Sequence, residues 1–284
     1  MPQKFYSTRS PGQVVDLKEA VLRSLPADNG LYMPKYIEPL SAQFWENWRD
    51  LSLPEIGLEV AKVIFRDSVP EKQLEKIVHQ SANFSAPLLS VKEREHVLEL
   101  FHGPTLAFKD FGARFMARLM AWLTREDESL LTVLVATSGD TGGAVASAFH
   151  NVPGTRVIIL YPKGKVSELQ EKQLTTLGGN ITSLEVDGTF DDCQRLVKST
   201  FLQREIAEEL NLTSANSINI ARLVPQSFYY FEAAKNLPLG VKPSFVIPSG
   251  NFGNLTAGLL AEKLGLEVDG FVAATNRNDV VPAY

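Results

Sequence analysis

Apolar residues recur along the chain with two different periods, and the change falls near residue 97. Before it, Asp16 to Leu25 carries apolar positions at helical spacing, Pro26-Ala-Asp-Asn-Gly30 clusters turn formers, and Pro54 to Gln80 alternates charged and aliphatic residues as surface helices do. Residues 1–90 therefore read as a mostly helical cap. From Val97 onward, short apolar runs alternate with helical segments: Val97–Phe101, Thr132–Thr137, Arg156–Tyr161, Ile181–Val186, Phe245–Ile247 and Phe271–Ala274. Such alternation predicts βαβ units and a parallel sheet with both faces covered. Thr189 with Asp191 and Asp192 signals a helix start, Gly178-Gly179 a helix stop, and Phe111, Phe115 and Leu119 share one helical stripe. In folds of this kind ligands bind where strands give way to loops, so the strand-to-helix joints are the places to look for chemistry.

Composition mainly excludes. The 284 residues carry 28 Lys and Arg against 33 Asp and Glu, a net charge of -5, with no Lys/Arg block. That balance argues against nucleic acid or an anionic membrane as the main partner. Cys193 is the only cysteine, so neither an intrachain disulfide nor a cysteine zinc site can form, and a reducing compartment is expected. No apolar run approaches the roughly 20 residues of a membrane span, and none follows the first charges of Met1 to Ser10, so the expected address is the cytoplasm. His79, His96, His102 and His150 lack the spacing of a helical metal pair, and no metal is expected.

Three joints carry unusual chemistry. In Gly103-Pro-Thr-Leu-Ala-Phe-Lys-Asp-Phe-Gly112, Lys109 falls at a helix start between Phe108 and Phe111. A positive helix end and apolar neighbours both favour a neutral, nucleophilic amine able to form a Schiff base. A snorkelling lysine paired with Asp110 is the alternative. In Ala136-Thr-Ser-Gly-Asp-Thr-Gly-Gly143, glycines and hydroxyls at a helix N-terminus offer backbone amides to a carboxylate or phosphate, or simply make a tight turn. In Pro248-Ser-Gly-Asn-Phe-Gly-Asn-Leu-Thr256, Gly250 and Gly253 permit close backbone approach while Ser249, Asn251 and Asn254 can donate or cap, which suits a phosphate monoester. Pyridoxal phosphate meets the combined requirement, with its aldehyde for the lysine and its phosphate for the cradle, leaving the middle loop for an amino-acid carboxylate.

With these motifs in this order, the chain resembles threonine synthase of the longer bacterial and fungal type. The likeness rests on His102 to Gly112, the Thr137 to Gly142 loop, Ser214-Ala-Asn-Ser-Ile-Asn-Ile-Ala-Arg222 and Pro248 to Asn254, and extends to Tyr6-Ser-Thr-Arg9 and Asp28-Asn-Gly-Leu-Tyr-Met-Pro34. It implies an α/β, fold-type II pyridoxal-phosphate enzyme of tryptophan synthase β-like, two-domain architecture. The helical cap would span 1–90, the large cofactor-binding domain 91–129 and 225–284, and the small α/β domain 130–224. It further implies a lyase that converts O-phospho-L-homoserine and water to L-threonine and phosphate, the last step of threonine biosynthesis. Lys109 matches the Schiff-base lysine. Ser249, Gly250, Asn251, Phe252, Gly253 and Asn254 match the cofactor-phosphate loop. Ser138, Gly139, Asp140, Thr141 and Gly142 match the loop near the cofactor ring and the substrate carboxylate, with Asp140 facing the ring hydroxyl where many relatives carry asparagine. Asn216, Ser217, Asn219 and Arg222 match a substrate-side motif, with Arg222 toward the substrate phosphate; helix caps and a surface charge are the plainer alternatives. The family pattern continues past Tyr284, so the pyridine-nitrogen partner is expected outside this sequence and turnover by these residues alone is expected to be poor. A serine or threonine dehydratase of the same fold and a catalytically silent phosphate-ligand binder are the competing readings. The residues do not choose between monomer and homodimer.

Overall fold

The computed structural model describes residues 1–277. It opens with a three-stranded antiparallel sheet of β1 (Phe5–Ser7), β2 (Val14–Val15) and β3 (Tyr32–Pro34) in the order β2-β1-β3. Strands of two or three residues are too short to show a period, which is why the sequence indicates only helices here. Helix α1 (Leu17–Arg23) starts at Asp16, whose Oδ1 accepts from the Glu19 N–H at 2.8 Å. Then come α2 (Ala42–Asn47), α3 (Leu53–Phe65) and α4 (Glu71–Ser81). The charged-aliphatic stretch forms two helices because Arg66 takes a left-handed φ of 40° and Pro70 opens the next one. Ile56, Val60, Ile64 and Phe65 of α3 are fully buried.

The run Val97–Phe101 departs from expectation. Strand β5 (Glu95–Leu98) pairs antiparallel with β4 (Leu88–Lys92) in a separate hairpin and does not enter a parallel sheet. Arg94 reverses the chain at φ 68°, and Leu89, Val91 and Val97 are exposed while Leu98 and Leu100 pack against the main core, so this run is covered on one side only.

After α5 (Lys109–Leu123) the alternation becomes regular: β6 (Leu131–Ala136), α6 (Asp140–Phe149), β7 (Thr155–Pro162), α7 (Glu168–Thr175), β8 (Ile181–Val186), α8 (Phe190–Leu202), α9 (Arg204–Glu209) and β9 (Leu212–Thr213). The four strands form a parallel sheet in the order β8-β7-β6-β9. Val133, Val135, Val157 and Ile159 join the main core with Val145 and Phe149 of α6, while Leu134 and Leu160 meet Cys193 of α8 on the opposite face. Successive side chains thus serve successive faces, as a sheet covered on both sides requires. The chain closes through α10 (Ile220–Lys235), β10 (Ser244–Pro248), α11 (Gly253–Lys263) and β11 (Gly270–Ala274), whose two strands make a second parallel sheet. The parallel strands therefore form two sheets, not one.

Helix α10 joins these parts. All of it except Glu232 and Lys235 is buried, so it is covered around its circumference and packs against α3, α5 and α11. At its crossing with α5 a Cβ on Gly112 would lie 2.8 Å from the Arg222 carbonyl oxygen. That atom is backbone and cannot rotate away. Gly112→Ala is expected to force the helices apart and cost about 1–3 kcal/mol, read as a lowered denaturation midpoint at unchanged m-value. An unchanged midpoint would show that the crossing has slack.

Candidate active site

Lys109 is the first residue of α5. Its side chain is 23% exposed, and Nζ lies 4.7 Å over the Phe108 ring and 3.3 Å from Asp140 Oδ2. The pairing with Asp110 that local sequence suggests does not form. Asp110 is 1% exposed and turns back on its own loop, accepting from the Thr105 N–H at 2.9 Å and the Thr105 hydroxyl at 2.6 Å. Gly103 makes room for it, since a Cβ there would lie 2.5 Å from Asp110 Oδ2. Phe111 also leaves the lysine, packing into the core against Tyr229 at 5.3 Å. Lys109 is thus half in an aromatic setting, and its charged partner comes from another element.

That partner sits at the first turn of α6. Strand β6 runs directly into the loop, where Gly139 takes φ 147°, open to glycine and rarely adopted by other residues. Sequence reasoning missed Thr137, whose Oγ1 accepts from the Gly139 N–H at 3.0 Å and the Gly142 N–H at 2.8 Å. Two amides of this loop are therefore already taken. Those of Asp140 and Thr141 lie in the first helical turn, where no intrahelical acceptor exists, so an anion can reach them. Ser138 is exposed beside them. Gln170, also missed, donates from Nε2 to Asp140 Oδ1 at 2.8 Å. Its only sequence signal is the Ser-x-x-Gln capping box at the start of α7.

The third loop lies at the other end of the α10 contacts. Gly250 and Asn251 are exposed, and no atom lies within 4 Å of a Cβ placed on Gly250, so the cradle is open there. Phe252 is the N-cap of α11 and Gly253 its first residue. Ser249 is a correction: it is buried, with Oγ donating to the Ile247 carbonyl and its N–H to that of Ala274, so it fastens the loop to β11 in place of offering free donors. Asn254 is held by two buried phenols. Tyr229 donates to its Oδ1 at 2.9 Å, and the Tyr230 hydroxyl lies 2.8 Å from both its Oδ1 and its carbonyl oxygen. Burial raises the pKa of both tyrosines, so they stay protonated and remain donors.

The 214–222 segment meets this cradle. A Cβ on Gly253 would lie 3.6 Å from the Ser217 carbonyl oxygen; Ser217 is half-buried and Asn216 exposed next to it. Asn219 is a correction. It is fully buried, its Oδ1 caps α10 through the Ala221 N–H at 2.9 Å, and its Nδ2 donates to Val21 at 2.8 Å, so it is committed to the fold. Arg222 is no surface charge either. It is 2% exposed, one Nη donates to the Ala215 carbonyl at 2.7 Å, its buried Nε has no partner, and no carboxylate pairs with it among the described residues. Burial pushes its pKa down to about 10. A buried guanidinium with an orphaned donor and no acid is suited to an anion.

A lysine facing an anchored carboxylate, an open glycine cradle and an unpaired buried arginine all border α5 and α10. Residues 85–277 match the model of the pyridoxal-phosphate dependent enzyme family, and residues 4–82 that of the threonine synthase N terminus. The chain belongs to the threonine synthase family of pyridoxal-phosphate-dependent enzymes. It is 46% identical to threonine synthase of Escherichia coli over 283 residues, 99% of this chain and 66% of that one. It is 47% identical to the Haemophilus influenzae protein over 281 residues, 98% and 65%. Among solved structures, threonine synthase of E. coli superposes with a TM-score of 0.90 at 46% identity, covering 99% of this chain and 65% of that one. The pyridoxal-phosphate-bound threonine synthase of Brucella melitensis gives 0.92 at 39%, covering 98% and 61%. The chain therefore spans about two thirds of the length of the curated relatives it matches. These matches bear out the fold-type II reading. Among the described residues no helix is long and apolar enough to cross a membrane, and no His/Cys/Asp/Glu cluster could hold a metal ion.

Proposed function

We propose that this chain binds pyridoxal phosphate through Lys109 and the loop 250–254 and serves the conversion of O-phospho-L-homoserine and water to L-threonine and phosphate. The residues suit the cofactor: an amine at the mouth of the site, an open cradle at Gly250, and first-turn amides at Gly253 and Asn254 aligned with a positive helix end. When bound, the cofactor supplies an electron sink for charge developed beside the substrate's amino group. Lys109 Nζ takes up and returns the proton at that carbon, and Asp140 fixes where the amine stands. The Asp140 and Thr141 amides hold the substrate carboxylate, while Asn216, Ser217 and Arg222 orient the departing phosphate. We assign 1–90 to the cap, 91–129 and 225–284 to the large domain and 130–224 to the small one, with the site between the last two; residues 278–284 of that division lie outside the described residues. The buried free thiol of Cys193 suits a reducing cytoplasm.

Arg222 carries the choice of substrate. A dehydratase acting on serine or threonine has no use for a buried guanidinium lacking an acid, whereas a phosphate dianion satisfies it. The test is a spectrum of the chain with added pyridoxal phosphate. A new visible band is expected, perturbed by phosphohomoserine, with any turnover releasing phosphate and threonine. Keto acid formation from serine or threonine would move the assignment to a dehydratase.

A further inference from the structure

We propose that Gln170 is a positioning residue of this site: its amide holds the Asp140 carboxylate facing Lys109. The inference rests on the pyridoxal-phosphate reading and adds a residue to it. Gln170 Oε1 accepts from the Ser167 backbone N–H at 3.2 Å and lies 3.0 Å from the Ser167 hydroxyl. A backbone N–H can only donate, so the amide oxygen must face Ser167 and the NH2 must face away. That NH2 reaches Asp140 Oδ1 at 2.8 Å, while Lys109 takes Oδ2 at 3.3 Å. Each carboxylate oxygen is thus held from a different helix. Gly139 makes this possible, because a Cβ there would lie 2.5 Å from Gln170 Nε2.

Other charges near the trio are engaged elsewhere. Asp110 of α5 faces Thr105, and Glu168 of α7 pairs with Lys172. Lys109 from α5 and Gln170 from α7 are the groups that hold Asp140. A capping box, ordinarily a device for starting a helix, here aims an amide into the site.

The experiment is a pH titration of the visible band that pyridoxal phosphate acquires on binding this chain, run beside the Tm of the cofactor-free protein for wild type, Q170E, Q170M and S167A. Q170E keeps the capping box, since glutamate fills that position as well as glutamine does, so a role confined to the helix cap leaves the titration unmoved. The proposal expects the opposite. A second carboxylate beside Asp140 adds negative charge at the lysine, and the midpoint rises by about one pH unit with little change in Tm. Q170M removes the donor, leaves the Asp140 charge less masked, and raises the midpoint by about half a unit. S167A lowers Tm through loss of a cap and leaves the midpoint in place. Unmoved midpoints in both Q170E and Q170M would overturn the proposal. A wild-type chain that gains no visible band would overturn the cofactor reading first, and this inference with it.

Discussion

Replacing Lys109 with alanine abolishes covalent capture of pyridoxal phosphate: the visible band is lost, and borohydride no longer fixes cofactor to the chain. The expectation follows from geometry. Lys109 Nζ emerges from the start of α5 between the Phe108 ring and Asp140, with its side chain 23% exposed, so a small aldehyde can reach it. Most other lysines are exposed and flexible, without a carboxylate anchor that is itself held by another helix. Lys235 is also sequestered, yet it is bound to Glu232 and to the Leu51 carbonyl away from the glycine loops. The loss is expected to be all-or-none, because no second amine is placed to substitute. Fold is checked by Tm, which should change little: Lys109→Ala removes one partly exposed ion pair, worth at most about 1 kcal/mol. A variant that keeps the band, or borohydride labelling of wild type on another residue, would sink the assignment.

The second large effect lies at Arg222. Arg222→Met should weaken binding of phosphohomoserine by about 100-fold, the scale of a lost charge-assisted, forked contact to phosphate. In wild type, inorganic phosphate should raise Tm, and in the variant that rise should vanish. The anion-free variant is expected to be no less stable than wild type, because methionine replaces a buried charge that has no acid partner. The sign with pH follows from the same burial. Held down to about 10 in the folded state, below the usual range of a guanidinium, Arg222 opposes folding of the anion-free chain below about pH 10, and the penalty is relieved as pH rises through that value. Anion binding runs the other way, present while the guanidinium is charged and fading above about pH 10. Phosphate protection that survives in Arg222→Met would remove this residue from the substrate site.

Local periodicity accounts for what the sequence discloses. Ile181–Val186 is read with its observed ends, and Thr132–Thr137 and Phe271–Ala274 to within one residue, because each is a short run rich in β-branched or apolar residues bounded by turn formers. Val97–Phe101 fails because its apolar residues cross-pair in an exposed hairpin, and periodicity does not say which partner a strand takes. In the site, the glycine loops and Lys109 are legible as types of chemistry at element ends. Their partners are not. Asp140 lies 31 positions from Lys109, and Gln170 a further 30, so their meeting depends on how α5, α6 and α7 pack. Asn219 and Arg222 stand three apart in one motif, yet one caps a helix and the other is left with a bare donor, a division that only the fold makes.

The two regions proposed to face anions also share a ruler. Arg222 opens α10 and Tyr229 grips Asn254 from seven residues farther along, about 10 Å at 1.5 Å per residue. Pro225 lies between them and removes one helical N–H, but the helix is buried on nearly every side, and that packing holds the length. Drift in the side chains at either end can alter which groups are recognised, while the span between them is set by helix pitch. On the proposed assignment, ligands would be sorted by reach before they are sorted by charge.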